Sequence, residues 1–250
     1  MHRRFIRQVF ALGVLHQIDL ADEILPDFRR DEKPSRTTLL LMVRGIVRVY
    51  TAHDLARADF ADALAVARAV GDPLILGYVQ AHYGALLCLD GDLDQARAMH
   101  EEMLTIACSS GDQNLLAEAH YLLATDFLTA HDAGSAAPQL AAAVRDYQNF
   151  GHLEGLARCL GALSALAVER GDPRLAARLI GTAAAVRDRF GLKPWPYVTE
   201  AERRTNQRAA ALLPGGEYTA QLTAGRSQTI DEALTAARPI LEDRQPAGPR

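Results

Sequence analysis

The stretch Leu86-Leu87-Cys88-Leu89-Asp90-Gly91-Asp92-Leu93-Asp94-Gln95-Ala96 decides the fold, and Leu166-Ala167-Val168-Glu169-Arg170-Gly171-Asp172-Pro173-Arg174-Leu175-Ala176 repeats its plan further along. In each, an apolar run meets Gly-Asp, and a second run with Ala four residues past the Asp begins at once. A helix commonly ends on a residue in the left-handed conformation, where Gly has no Cβ to clash. The helix that follows needs an acceptor for its orphan amides, and an Asp carboxylate supplies one. Pro73 and Pro173 suit the first helical position, where a missing N–H costs nothing.

Working outward, the same punctuation recurs every 20 residues. Gly71, Gly111, Gly151 and Gly191 stand 40 apart, with Gly91, His131 and Gly171 midway. The residues that follow them are Asp72, Asp92, Asp112, Asp132, His152, Asp172 and Leu192. His tolerates positive φ better than most side chains, so His131 reads as a turn residue. His53-Asp54 reads as the same signal one unit earlier, two residues out of register. A 20-residue unit leaves about 14–16 residues for helix, roughly 21–24 Å.

Between the turns, Leu115, Leu116, Ala119, Leu122, Leu123 and Phe127 form an i, i+3, i+4 stripe without strand alternation. Small residues recur where helices must approach: Gly84, Ala96, Ala124, Ala136, Gly161 and Ala176. The reading is an all-α solenoid of antiparallel helical hairpins, with hairpins at about 37–70, 74–110, 114–150 and 153–190. A less regular one is expected at 3–30, so that the solenoid spans 1–191. Ser35 or Thr37 is expected to cap the helix after the polar connection 31–35. Past Gly191 the period stops at Lys193-Pro194-Trp195-Pro196. Helices are expected at 199–213 and 217–224. A last one is capped by Thr229, with Glu232 completing a capping box. Segment 192–243 reads as a helical cap and 244–250 as a disordered tail.

Composition agrees. Hydrophobic residues make up 49% and charged residues 23%, as in ordinary globular chains. The net charge of -4 lacks the basic excess of a general nucleic-acid binder. No apolar run approaches the ~18 residues a bilayer span needs. The basic start, Met1 to Phe5, reads as helix and not as a secretion signal, and a cytoplasmic location is the expectation. Cys88, Cys108 and Cys159 are an odd, widely spaced set without a CxxC pair and read as buried thiols.

The pattern Leu86-x4-Gly91-Asp92-x3-Ala96 resembles the heart of a tetratricopeptide hairpin, although the 40-residue period exceeds that family's usual ~34. That resemblance implies a right-handed solenoid. Longer repeats of this kind resemble the regulatory solenoids of MalT-like signalling ATPases. Tyr218-Thr219-Ala220-Gln221-Leu222-Thr223-Ala224-Gly225-Arg226-Ser227-Gln228-Thr229-Ile230-Asp231-Glu232-Ala233-Leu234 is similar to the hairpin that closes such repeat regions. Ala177-Arg178-Leu179-Ile180-Gly181-Thr182-Ala183-Ala184-Ala185-Val186-Arg187 is similar to their last repeat. The resemblance covers about 70–240 and is most specific over 155–237. It implies the sensor or scaffold part of a LuxR-type transcriptional regulator. The chain departs from that plan: it has no Gly-x4-Gly-Lys-Ser/Thr loop to cradle phosphates, and no segment after Ala233 is long enough for a helix-turn-helix. ATPase activity and direct DNA reading are therefore not carried over.

A search for catalysis finds little. His100-Glu101-Glu102 is not His-Glu-x-x-His and reads as a solvated helix face. His82 and His120 stand at nearly equivalent places in neighbouring hairpins, but no third metal ligand accompanies them. No Gly-x-Ser-x-Gly elbow exists. No catalytic residue, metal or cofactor is expected.

Binding is the better reading. In a solenoid the first helix of each pair lines the concave side. Alignment on Ala58, Ala96, Ala136 and Ala176 puts Tyr78 and His82 there in the second hairpin. Glu118, Tyr121 and Thr125 take those places in the third, and Arg158 in the fourth. Together they would form a mixed aromatic and charged groove for a peptide segment or small effector. The expected function is a non-catalytic interaction or effector-sensing module of a regulator, with no direct nucleic-acid or membrane binding and its oligomeric state open. The alternative is an enzyme or accessory subunit on the same scaffold.

Overall fold

The computed structural model describes residues 34–49 and 52–242, apart from the side chains of Arg36 and Pro196. The hairpin expected at 3–30, most of the connection 31–35 and the tail 244–250 lie outside the described residues. Within them the chain is all α-helix, with no strand. The helices are α1 Pro34–Arg48, α2 His53–Val70, α3 Pro73–Asp90, α4 Leu93–Ser110, α5 Gln113–Thr129, α6 Ala133–Asn149, α7 Leu153–Glu169, α8 Pro173–Phe190, α9 Pro196–Leu212, α10 Glu217–Arg226 and α11 Ile230–Glu242.

From α2 to α8 every helix holds 17 or 18 residues, longer than the turn spacing suggested. The reason is the economy of the turn. At Gly91 (φ 86) the Gly91 N–H donates to the Cys88 carbonyl and the Asp92 N–H to that of Leu87. This double closure lets the next helix start two residues later. His131 (φ 57) makes the same pair of bonds to Leu128 and Phe127, and it is the one non-glycine residue with positive φ among the described residues. Asp72, Asp112, Asp132 and Asp172 accept N-terminal amides as caps. Asp92 does not: its Oδ2 accepts instead from the Gln95 and Arg57 side chains. His53 is no left-handed turn: it opens α2, and its Nε2 pairs with Asp90 at 2.5 Å. Ser35 and Thr37 lie inside the first turn of α1, which starts at Pro34.

The helices group into two compact units, 1–115 and 116–250, the division falling within α5. In the first unit α1 packs on α2 and α3, α2 on α3, and α3 on α4. Arg44 and Arg48 both pair with Asp59, which is buried. Phe60 stacks on Tyr83 at 5.9 Å. On α4 the buried stripe is Ala96, His100, Met103 and Ala107. His100 is therefore core, against Gly84, and not part of a solvated face as the sequence suggested; Glu101 and Glu102 are the solvated pair. Cys159 is buried and Cys88 half-buried. Cys108 is exposed, since one residue past Ala107 turns it about 100° off that stripe.

In the second unit α7 packs on α6 and α8, and α9 lies on α7 and α8. The last two helices do not extend the stack. Helix α10 lies along α8, and α11 reaches back to α6, α7 and α8 with Ala233, Leu234, Ala237 and Ile240 buried. The α8–α10 contact is a backbone approach. A Cβ at Gly181 would overlap the Leu222 carbonyl, and one at Gly225 the Arg178 carbonyl. Thr182 Oγ1 donates to the Gly225 carbonyl at 2.8 Å. Thr229 and Glu232 form the reciprocal box that starts α11.

Gly225→Ala should accordingly cost roughly 1–3 kcal/mol in urea denaturation and speed amide exchange throughout α10. Gly215→Ala, whose Cβ meets open space, should stay within about 0.5 kcal/mol of wild type.

Candidate functional site: a cleft between three helices

Arg158 enters the core of the second unit from α7. Its Nη1 donates to Glu118 Oε1 at 2.7 Å, its Nη2 pairs with Glu118 Oε2, and Nη2 also donates to the Tyr147 hydroxyl at 2.9 Å. That hydroxyl donates in turn to Glu118 Oε2 at 2.6 Å. The guanidinium lies 4.6 Å over the Tyr121 ring. Arg158 is only 4% exposed, so its charge survives by pairing: burial opposes it, but Glu118 and Tyr147 raise its pKa well above the ordinary value. Burial first, and Glu118 next, raises Tyr147, while burial lifts Tyr121 past the normal phenol range despite Arg158. Both phenols stay neutral. The Cys159 thiol is pushed up to about 12 by burial, which leaves no nucleophile there.

Beside this pair, α5, α7 and α9 enclose a cleft of about 220 Å³. Its apolar walls include Leu128, Ala162, Ala165, Val198 and Ala201. Glu202 crosses the floor directly over Gly161, where a Cβ would collide with the carboxylate. Arg187 of α8 holds both Glu202 oxygens, at 2.6 and 2.5 Å. At one end Glu169 accepts from Arg208 at 2.6 Å and meets His131 at 3.0 Å, which ties α7, α9 and the α5–α6 turn together. Partial burial works against the Glu169 charge, but these two bonds lower its pKa. On the lip, Glu200 is brought to about 2 by hydrogen bonds from Arg203 and Arg204.

Of the groove residues expected from sequence, Tyr121, Thr125 and Arg158 line this cleft, and Glu118 braces Arg158 behind it. Tyr121 and Arg158 are buried, where the sequence suggested open groove groups. Tyr78 and His82 belong to the first unit. Tyr78 is half-buried, its hydroxyl 3.5 Å from Asn114 Nδ2, and His82 is buried. His120 meets Gln139 at 2.7 Å. Sequence reasoning missed Glu169, Val198, Glu202, Arg204 and Arg208 as cleft residues. Glu169 precedes a recognisable turn, but α9 begins after the Pro-rich break and carries no Gly-Asp beat to align it.

His152 takes the N-cap place on α7 that Asp holds elsewhere: Nδ1 accepts the Gly155 amide at 2.9 Å while the ring stacks on Tyr147 at 5.3 Å. Accepting through Nδ1 requires the neutral ring with its proton on Nε2. Burial, and then the Arg158 charge, lower its pKa.

Fold and cleft together define an all-α helical-repeat protein with a small, partly charged ligand-sized cleft in its second unit. No family model and no curated protein matches the chain. Among solved structures, it is similar to BtubC (BKLC) from P. vanneervenii, with a TM-score of 0.58, 20% identity and coverage of 94% of each chain. That likeness concerns the fold alone.

Two predictions follow from the buried network. Glu118→Gln should destabilise the chain by about 3–5 kcal/mol in denaturant titration, because it leaves Arg158 uncompensated, whereas Glu118→Leu combined with Arg158→Met should recover much of that loss. Lowering the pH from 7.5 through about 6.5 should also cost stability. The unfolded chain binds the His152 proton in that window and the folded chain does not, so the stabilisation is present above it and lost below. His152→Asn keeps a cap acceptor that does not titrate, and the difference in Tm between wild type and this variant should shrink as pH falls.

Proposed function

We propose that the protein is a non-catalytic interaction or effector-sensing module, and that the α5–α7–α9 cleft of its second unit receives the ligand. The observation that carries this is the construction of the cleft. An apolar strip of Leu128, Ala162, Ala165, Val198 and Ala201 lies among converging polar and charged side chains, and two of these, Glu202 and Arg158, are braced from behind by Arg187 and Glu118. That is the usual make-up of a small-ligand site. Its walls come from α5 and α7, the first helices of their pairs, joined by α9.

We read the repeats as tetratricopeptide-like with right-handed stacking, and the module as related in kind to the solenoids of MalT-like, LuxR-type regulators. Support comes from the Gly-Asp turn beat and from the 177–187 and 218–234 segments quoted above. No helix among the described residues is long and apolar enough to cross a membrane.

Ala165→Trp tests the proposal, since Ala165 is a half-exposed wall residue and an indole there fills the space. Ligands that wild type retains from a metabolite mixture or a peptide array should lose at least tenfold in affinity, with helix content unchanged. If they bind the filled variant as before, the cleft is not the receiving site.

A further inference from the structure

The donors and acceptors around the cleft are unequal. Both Glu202 oxygens are occupied by Arg187, and Glu169 Oε1 already serves two donors. Arg204 commits only its Nε, to Glu200 at 2.8 Å, and Arg208 only its Nη1, to Glu169. A guanidinium carries five N–H donors, so each lip arginine keeps most of its own. The two are four residues apart on α9 and share a face, with side chains 54% and 48% exposed. Deeper in, the Tyr121 hydroxyl makes no hydrogen bond among the described residues, although Tyr121 is 4% exposed and lines the cleft.

Charge gives the sign and the valence. Glu169, Glu200 and Glu202 face Arg187, Arg203, Arg204 and Arg208, while Glu118 and Arg158 cancel. The surplus is a single positive charge, which suits a monoanion better than a phosphate dianion. Size gives the scale. The cleft is smaller than the ~300–1,000 Å³ typical of drug-sized sites, and it follows α7 from Arg158 to Glu169, roughly 16 Å of helix.

Resting on the cleft reading above, we propose that the ligand is a small amphipathic carboxylic acid. Its carboxylate docks on Arg204 and Arg208, and its apolar body lies along Ala165, Ala162 and Val198. The planar carboxylate matches the guanidinium fork, and the open donors of Arg204 and Arg208 outnumber the one carboxylate oxygen left open beside them, Glu169 Oε2. The Tyr121 hydroxyl is placed to meet a polar atom at the far end of the ligand.

The test titrates the full chain with 4-phenylbutyrate, 4-phenylbutylamine and 4-phenylbutanamide, followed by two-dimensional NMR of backbone amides and arginine Nε–H groups. The acid should shift Arg204, Arg208 and the α9 amides. It should bind at least tenfold tighter than the amine or the amide. Arg204→Gln with Arg208→Gln should remove that preference. These are exposed pairs whose loss costs the fold little, and Arg204→Lys with Arg208→Lys should restore part of it. Amine or amide binding as tight as the acid's, or acid binding unchanged in the double glutamine variant, overturns the assignment of ligand class. If such binding is still blocked by Ala165→Trp, the cleft stands as the receiving site. No probe binding in a manner sensitive to Ala165→Trp overturns both.

Discussion

Each helix end leaves amides or carbonyls without intrahelical partners, and this chain must settle that debt every 20 residues with two or three residues of turn. The solution is a left-handed residue followed by a capping acceptor. Gly91, His131, Gly151 and Gly171 close the outgoing carbonyls through paired bonds, and the next side chain takes up the incoming amides. Because the turn is so short, helices of 17 or 18 residues follow one another directly, and their apolar stripes fall opposite one another. The stripe 96, 100, 103 and 107 on α4 is the clearest case. It draws even His100 into the core, since position on the helix outweighs the polarity of one imidazole. The places where the rule bends are informative. At Asp92 a salt bridge from Arg57 competes for the cap, and at His152 an imidazole replaces the carboxylate beside a buried arginine.

Within the second unit, two ion pairs hold the helices that wall the cleft. Arg158 of α7 is locked to Glu118 of α5, and Arg187 of α8 to Glu202 of α9. Such pairs are poor sources of net stability, since desolvation consumes most of the Coulombic gain. They are directional, however, and a guanidinium gripping both oxygens of a carboxylate fixes orientation in a way that leucine packing does not. The cleft therefore has a rigid, ion-paired floor and a looser cationic lip. That division lets a ligand choose by charge at the rim and by shape within.

The C-terminal segment shows how a helical-repeat unit can use its last helices. Gly181 and Gly225 let α8 and α10 touch backbone to backbone, and the strongly amphipathic α11 then returns over α6, α7 and α8. Helix α9 is left to complete the cleft. The Pro-rich break at 193–196 is what releases α9 from the repeat register.

Local chemistry was legible without coordinates: helix throughout the described residues, the turns at the Gly-Asp pairs and at His131 though not at His53, the box at Thr229 and Glu232, and the small residues at close approaches such as Gly161. These depend on backbone conformation and neighbours within four residues, which the chain writes in order. The candidate site was only half legible. Alignment of the repeats pointed to Tyr121, Thr125 and Arg158, but not to whether they face water or one another. Glu202, Arg204 and Arg208 carried no signal, because a charged residue on an irregular helix looks like any solvated one. Which charges meet, and which are buried, depends on how α7, α8 and α9 settle against each other. That is a matter of packing among residues tens of positions apart, and only the tertiary structure decides it.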